Sequence, residues 1–291
     1  MGKSREIKNR IKAVKNIQRI TRTMQMIATS KFAKAQQAAT ASKPYTRGLF
    51  DLVAQLAGAA GEIEHPLLAT HDQSKPELTL VIASDRGLCG PYNANIIRTA
   101  LHHIKGSEKA KAGPVELAGK KGLTPFKFNG IELAAYHAQF GDKPGYADVE
   151  ALANRYMEMF GSGEVSAVRI VSMKYFSAGK QTPDVLQLLP FKSEAMALAD
   201  GPAGPATLYE FTPDAEELLG ALLPAAVKAV LFQAFNDAIV SEHVARMVAM
   251  KAATDNAGKM GKALKTKFNR ARQSQITTEL TEIVSGAAAL G

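Results

Sequence analysis

The chain has 291 residues, 46% of them hydrophobic, with one cysteine and no tryptophan. That leaves room for one or two domains with a real core, and Cys89 alone excludes an internal disulfide and suits a reducing compartment. No apolar run approaches the roughly 20 residues that cross a bilayer as a helix.

The net charge of +9 is unevenly placed. Residues 1–58 carry twelve Lys/Arg against two acids, residues 59–213 fifteen against seventeen, and residues 214–291 nine against eight. The excess therefore sits on the first segment. A second acid-free basic stretch holds Lys259, Lys262, Lys265, Lys267, Arg270 and Arg272. Such a distribution calls for an acidic partner: nucleic acid, anionic lipid or an acidic protein surface.

The first segment, residues 1–58, reads as helix from about residue 3 to 57, kinked at Pro44. Ile7, Ile11, Val14, Ile17, Ile20, Met24 and Ile27 recur at spacings of 4, 3, 3, 3, 4 and 3. A basic, acid-poor N-terminus is also the composition of a transit peptide. Here the helical pattern runs past residue 30 and matches a stripe at the far end of the chain, which argues against that reading.

A linker with Gly58, Gly61, Pro66 and Pro76 spans residues 59–76. The middle, residues 77–212, changes character. Leu78 to Ala83 reads as a buried strand, followed by the loop Ser84–Gly90 and a helix from about Asn93 to Ile104. Val115–Ala118 and Gly130–Tyr136 are strand candidates, Ala147–Phe160 a helix, and Val165–Val171 and Val185–Leu189 further strands. Strands alternating with helices predict a small Rossmann-like α/β sheet.

The last segment, residues 213–291, opens on Thr212-Pro213-Asp214, a cap with proline in the first turn. From Ala225 onward no proline occurs, so up to 67 residues can be helical. At 1.5 Å per residue that is roughly 100 Å. Val227, Leu231, Ala234, Ala238, Ser241, Ala245, Val248 and Ala252 form a heptad stripe. Asp255, Gly258 and Gly261 interrupt it, and Met260, Leu264 and Phe268 resume at spacing four. The α/β domain is thus inserted between two helices that must pair antiparallel. The last helix outlasts the first, and carries no charge after Glu282.

No catalytic constellation stands out, and no cofactor is expected. Gly113 and Gly119-Lys120-Lys121 have one residue too many for a P-loop, and Lys121 stands where Ser or Thr must hold magnesium. Cys89 reads as a small buried hydrophobe in a tight turn. None of His65, His71, His102, His103, His137 and His243 shows a metal-ligand spacing. A basic helix beside a coiled coil is also how some proteins bind DNA. Here the stripe runs through the basic region, so no face is left free for a groove, and protein contact is the better reading.

At particular residues the chain resembles one family, the gamma subunit of the rotary F-type ATP synthase. The matching stretches are Ile7–Lys31, Ser84–Gly90, Glu242–Asn256, and Asn269–Gln273 through Ile276-Thr277, Glu279-Leu280 and Ile283–Ala289. The resemblance implies a central rotor shaft without a catalytic site of its own. Its coiled coil would stand inside a ring of three alpha and three beta subunits. Its α/β domain would touch an epsilon-type subunit and the membrane c-ring, with an inhibitory regulator as a further partner. It would act peripherally on the cytoplasmic face of a bacterial inner membrane, without inserting into it. Contacts with the alpha/beta head would fall on Met24, Arg246, Gln273, Thr277 and Glu279, and the basic Lys259, Lys262 and Lys265 would suit acidic loops on the head. A coiled-coil nucleic-acid binder is the alternative, and a small α/β enzyme with helical arms a third reading.

Overall fold

The computed structural model describes residues 2–59, 65–70, 72, 74–191 and 215–290. The elements run α1 (Gly2–Ala59), β1 (Glu77–Ile82), α2 (Tyr92–Gly106), α3 (Glu108–Ala112), β2 (Val115–Ala118), α4 (Leu123–Phe128), β3 (Ala135–His137), α5 (Tyr146–Gly161), β4 (Ala167–Ser177), β5 (Lys180–Leu189) and α6 (Ala215–Leu290). The predicted start of the last helix at 212–214 lies outside the described residues. Both terminal helices run uninterrupted through a proline, Pro44 in α1 and Pro224 in α6. The chain divides into two units: Met1–Ser30 with Arg246–Gly291, and Lys31–Ala245.

The second unit is built on a five-stranded sheet of order β3-β2-β1-β4-β5. The pairs β1–β2, β1–β4 and β2–β3 are parallel, and β5 joins β4 antiparallel. Every residue of the central strand β1 is buried. This is why its sequence is an apolar run instead of an alternation. Leu78, Leu80 and Ile82 face a layer holding Val149, Tyr156 and Phe160 of α5, Leu223, Val227 and Phe235 of α6, and Phe50 and Val53 of α1. Val81 faces the other way, against Tyr92, Ile96 and Ala100 of α2 and Phe126 of α4. The sheet is therefore covered on both faces, as a parallel sheet requires.

Two elements escaped the sequence pattern. The short helices α3 and α4 are too brief for a 3.6-residue period to show. The strand β5 begins five residues earlier than its apolar stretch predicts. Its first half includes Lys180, Pro183 and Asp184, and lies half-exposed at the sheet edge, where proline and charge are tolerated.

The apolar content of α6 also needs a correction. Over 18 residues within Glu217–Ala288 the helix is apolar enough, by length and composition, to cross a bilayer. Half of that stretch is buried, and Leu219, Leu223, Val227, Val230 and Leu231 all belong to the core. The apolarity serves packing within the second unit.

In the first unit the seam is a heptad that keeps Ile7, Ile11, Val14, Leu264 and Phe268 of the expected stripes and departs from them elsewhere. On α1 the row of half-buried or buried positions runs Ile7, Ile11, Val14, Gln18, Thr21, Gln25 and Ala28, with Ser4 ahead of it and Met24 beside it. On α6 the facing row runs Met250, Thr254, Ala257, Gly261, Leu264, Phe268, Ala271 and Gln275, with Arg246, Met247, Ala249, Ala253 and Gly258 buried or half-buried beside it. Both rows alternate spacings of 4 and 3 without a break. Ile17, Ile20 and Ile27 instead stand 52–55% exposed, and Met260 and Val248 are each 55% exposed. Gly258 and Gly261 do not interrupt the heptad; they line it. A Cβ on Gly258 would lie 3.0 Å from Gln18 Nε2, and one on Gly261 would lie 3.9 Å from Val14 Cγ1. Thr254 Oγ1 is 2.8 Å from Thr21 Oγ1. As α1 advances through 14, 18 and 21, its partners retreat through 261, 258 and 254, so the pairing is antiparallel as predicted.

Candidate functional site

Two places bear on function: a crevice at the C-terminal edge of the sheet, and the surface of the paired helices. The crevice is lined by Ser84, Asp85, Phe140, Asp142, Phe235 and Glu242, among others. Nucleotide-binding α/β folds use this edge. The loop Ser84–Gly90 turns there through Leu88 and Gly90, at φ of 64° and 58°. Its interior is tied down by Asn93, whose Oδ1 accepts from the Ser84 N–H at 3.0 Å. Asn93 Nδ2 donates to Ser84 Oγ at 2.8 Å and to Cys89 Sγ at 3.2 Å. Cys89 is 2% exposed, in agreement with the small buried hydrophobe expected.

The chemistry of this edge does not suit a phosphate. The N–H of Lys120 is spent on Asp85 Oδ1 at 3.0 Å, and that of Lys121 on the Ser84 carbonyl at 2.9 Å. Three carboxylates, Asp85, Asp142 and Glu242, line the crevice. Gly113 and Gly119 stand at opposite ends of β2 and cannot share one loop. Each serves close approach to β1 instead. A Cβ on Gly113 would fall 2.0 Å from the Glu77 carbonyl oxygen, and one on Gly119, at φ 99°, would fall 2.3 Å from that of Ala83.

Asp142, in the loop after β3, pairs with Lys31 of α1 and lies 3.6 Å from Arg86. Burial pushes its carboxyl up, but the Lys31 hydrogen bond and the Lys31 and Arg86 charges outweigh this and hold it below the ordinary range. Deeper in the same unit, Glu116 Oε2 is 2.7 Å from His137 Nε2, accepts from the Tyr156 hydroxyl at 2.7 Å, and pairs with Arg155. Burial raises the Glu116 carboxyl, and these partners lower it by more. Burial and the neighbouring carboxylate push the Tyr156 hydroxyl well above 10. A second buried acid, Glu77, lies 3.1 Å from His103 and 3.4 Å from Arg169. Sequence reading passed over both acids. The signal was there: a carboxylate within a short apolar strand must bring a partner with it. Among the described residues no group of three or more His, Cys, Asp or Glu is arranged to hold a metal ion.

The residues expected to contact a partner lie on the first unit. Lys259, Lys262, Lys265, Gln273, Thr277 and Glu279 are all exposed. Thr277 donates to the Gln273 carbonyl at 3.0 Å, and Gln275 donates to Glu279 Oε1 at 2.8 Å, so these polar groups are ordered along the helix itself. Met24 is half-buried beside the seam. Arg246 is 9% exposed and engaged within the chain, which sets it apart from the others. Beyond Gln275 every described residue of α6 whose side chain is placed is exposed, through Ala288. Ile276, Leu280, Ile283 and Val284 there are 52–72% exposed.

The ATP synthase family model matches residues 3–290 of the chain. The ATP synthase gamma chain of Rhodopirellula baltica is 42% identical over 294 residues, which cover 100% of this chain and 99% of that one. The gamma chain of Leptospira biflexa is 41% identical over 292 residues, covering 100% of both. The chain belongs to the ATP synthase gamma family. Solved structures share the fold. A chain of the Euglena gracilis mitochondrial ATP synthase rotor aligns with a TM-score of 0.63 at 18% identity, over 94% of this chain and 99% of that chain. Another, from the same enzyme solved with its OSCP, F1 and c-ring, gives 0.65 at 17% identity, over 99% and 95%. The nucleic-acid alternative finds no support in these relatives of the gamma family.

Proposed function

We propose that this chain is the central rotor shaft of a bacterial ATP synthase, carrying rotation of a membrane c-ring to the alpha/beta head and holding no catalytic site of its own. The observation that carries the reading is the apolar exterior of the first unit. Ile17, Ile20, Met26, Ile27, Val248, Met260, Ile276, Leu280, Ile283 and Val284 are each more than half exposed. A coiled coil that buries Gln18, Thr21 and Gln25 while presenting isoleucines outward is shaped for a surrounding partner. The apolar surface gives a bearing few directional bonds, so it can slide. The exposed lysines at 259, 262 and 265 supply charge for acidic loops on the head.

In this reading Met24, Arg246, Lys259, Lys262, Lys265, Gln273, Thr277 and Glu279 meet the alpha/beta head, Arg246 with the small part of its surface that is exposed. The α/β unit meets the c-ring and an epsilon-type subunit, and an inhibitory regulator acts on the same rotor. The complex works at the cytoplasmic face of the inner membrane, with this chain peripheral to the bilayer.

A disulfide tether tests rotation directly. Lys265→Cys, paired with a cysteine on a facing beta subunit, should stop steady-state ATP turnover while nucleotide still binds to the head. Reduction should restore turnover. Multi-turnover activity under the closed tether would refute a rotary role.

A further inference from the structure

We propose that Asp142 is a positioning residue for rotation transfer, a polar tie that keeps α1 from rolling where it leaves the α/β unit. Asp142 sits in the loop between β3 and α5. Its carboxylate accepts from Lys31 of α1 and lies 3.6 Å from Arg86 of the Ser84–Gly90 loop. Lys31 is also the first residue of α1 that belongs to this unit.

The position of the tie matters. The buried apolar positions of α1 in this unit begin with the small Ala39, eight residues further on, and the large anchors Leu49, Phe50, Val53 and Leu56 only eighteen residues on. Between Lys31 and Ala39, residues 33, 34, 36, 37 and 38 are exposed and Ala35 is half-buried. Apolar burial is non-directional and resists rolling poorly. A charge-assisted hydrogen bond from a loop of the sheet fixes one azimuth. The neighbouring residue reinforces it, since the Phe32 and Tyr175 rings stand 6.5 Å apart at 59°. On α6 the matching hold is the Tyr92 hydroxyl, which donates to the Ala238 carbonyl at 2.9 Å. Three non-consecutive pieces of the α/β unit therefore hold the two long helices by directional contacts.

The Lys31 and Asp142 side chains keep 37% and 34% of their exposure. A pair so exposed adds little to folding stability. Its loss should spare the fold and be felt only under load.

The test uses the whole complex in inverted membrane vesicles, reading protons moved per ATP hydrolysed. Asp142→Ala should lower that ratio several-fold with subunit composition and ATP hydrolysis retained. Asp142→Glu should keep it. Lys31→Ala should lower it by the same factor, and the double variant by no more than either single one, because the two act as one unit. If Asp142→Ala does not assemble, Lys31→Ala carries the test, since it removes the pair from the helix side. An unchanged ratio in Lys31→Ala, or losses that multiply in the double variant, would overturn the proposal. The inference rests on the rotor reading, whose own failure would appear in the complex with Asp142 and Lys31 intact, as turnover under the tether at position 265.

Discussion

Thr21 and Thr254 meet hydroxyl to hydroxyl across the seam of the paired helices, with 2.8 Å between their oxygens. Thr21 donates to the Gln18 carbonyl at 3.1 Å, and Thr254 also lies 2.8 Å from the Met250 carbonyl. The seam thus closes on a polar contact that is satisfied from both sides. A polar pair at one seam position favours one register of a coiled coil, because a one-heptad slip would separate the two hydroxyls and lose the bond between the helices.

Thr254→Val should therefore cost about 1 kcal/mol, the usual worth of one hydrogen bond. The double replacement Thr21→Val with Thr254→Val should recover most of that loss, since two apolar groups of matching shape replace the pair. Denaturant unfolding of the four chains in a double-mutant cycle measures this coupling. Strictly additive losses would show that the two hydroxyls do not interact.

Gly261→Ala should stabilise the first unit. Its Cβ would meet Val14 Cγ1 at an ordinary 3.9 Å. An alanine in mid-helix is favoured over glycine by roughly 1 kcal/mol. Gly261→Leu should do the opposite, because the added atoms must push α1 aside. A rise in melting temperature for alanine and a fall for leucine is the expected pair of results.

Acid should weaken the α/β unit through Glu116. Its carboxyl lies below its ordinary value of 4.5, because the His137, Tyr156 and Arg155 contacts outweigh burial. A depressed folded pKa means the unfolded chain binds the proton more readily. The contribution is full above the unfolded value and drains away as pH falls through the folded one. Glu116→Gln should cost ~3 kcal/mol at neutral pH, the scale of breaking a buried ion pair. It should also flatten the decline below the ordinary value. Urea midpoints across that range decide it, and parallel declines in both chains would remove Glu116 from the account.

Neutralising the basic face should weaken coupling in a salt-dependent way. Lys259, Lys262, Lys265 and Lys267 are all exposed, so their replacement by Gln keeps helix propensity and leaves the seam untouched. Turnover of the complex should fall, and its sensitivity to ionic strength should shrink. If turnover and salt response both stay the same, these lysines only solvate the helix.

Much of this architecture is written in the chain. The strand β1 was legible because burial on both faces leaves an unbroken apolar run. The helices were legible because 58 and 76 residues give a period many turns in which to show. The edge strand β5 was read only in its apolar half, since an edge admits Pro183 and Asp184. The acids Glu77 and Glu116 stayed hidden because their partners, His103, Arg169, His137 and Arg155, come from elements distant in sequence.

The seam marks the limit most clearly. The sequence by itself determined that two long helices pair antiparallel around an inserted α/β sheet. Only the tertiary structure decided which side of each helix turns inward. Apolar letters point to Ile17, Ile20 and Ile27, yet Gln18, Thr21 and Gln25 occupy the seam. The opposing helix presents Gly258 beside Gln18 and a hydroxyl to Thr21, and offers room and partners that make these polar groups cheap to bury. Hydrophobicity alone ranks a residue by its aversion to water; it cannot tell whether the surface that removes the water is the partner helix or another chain.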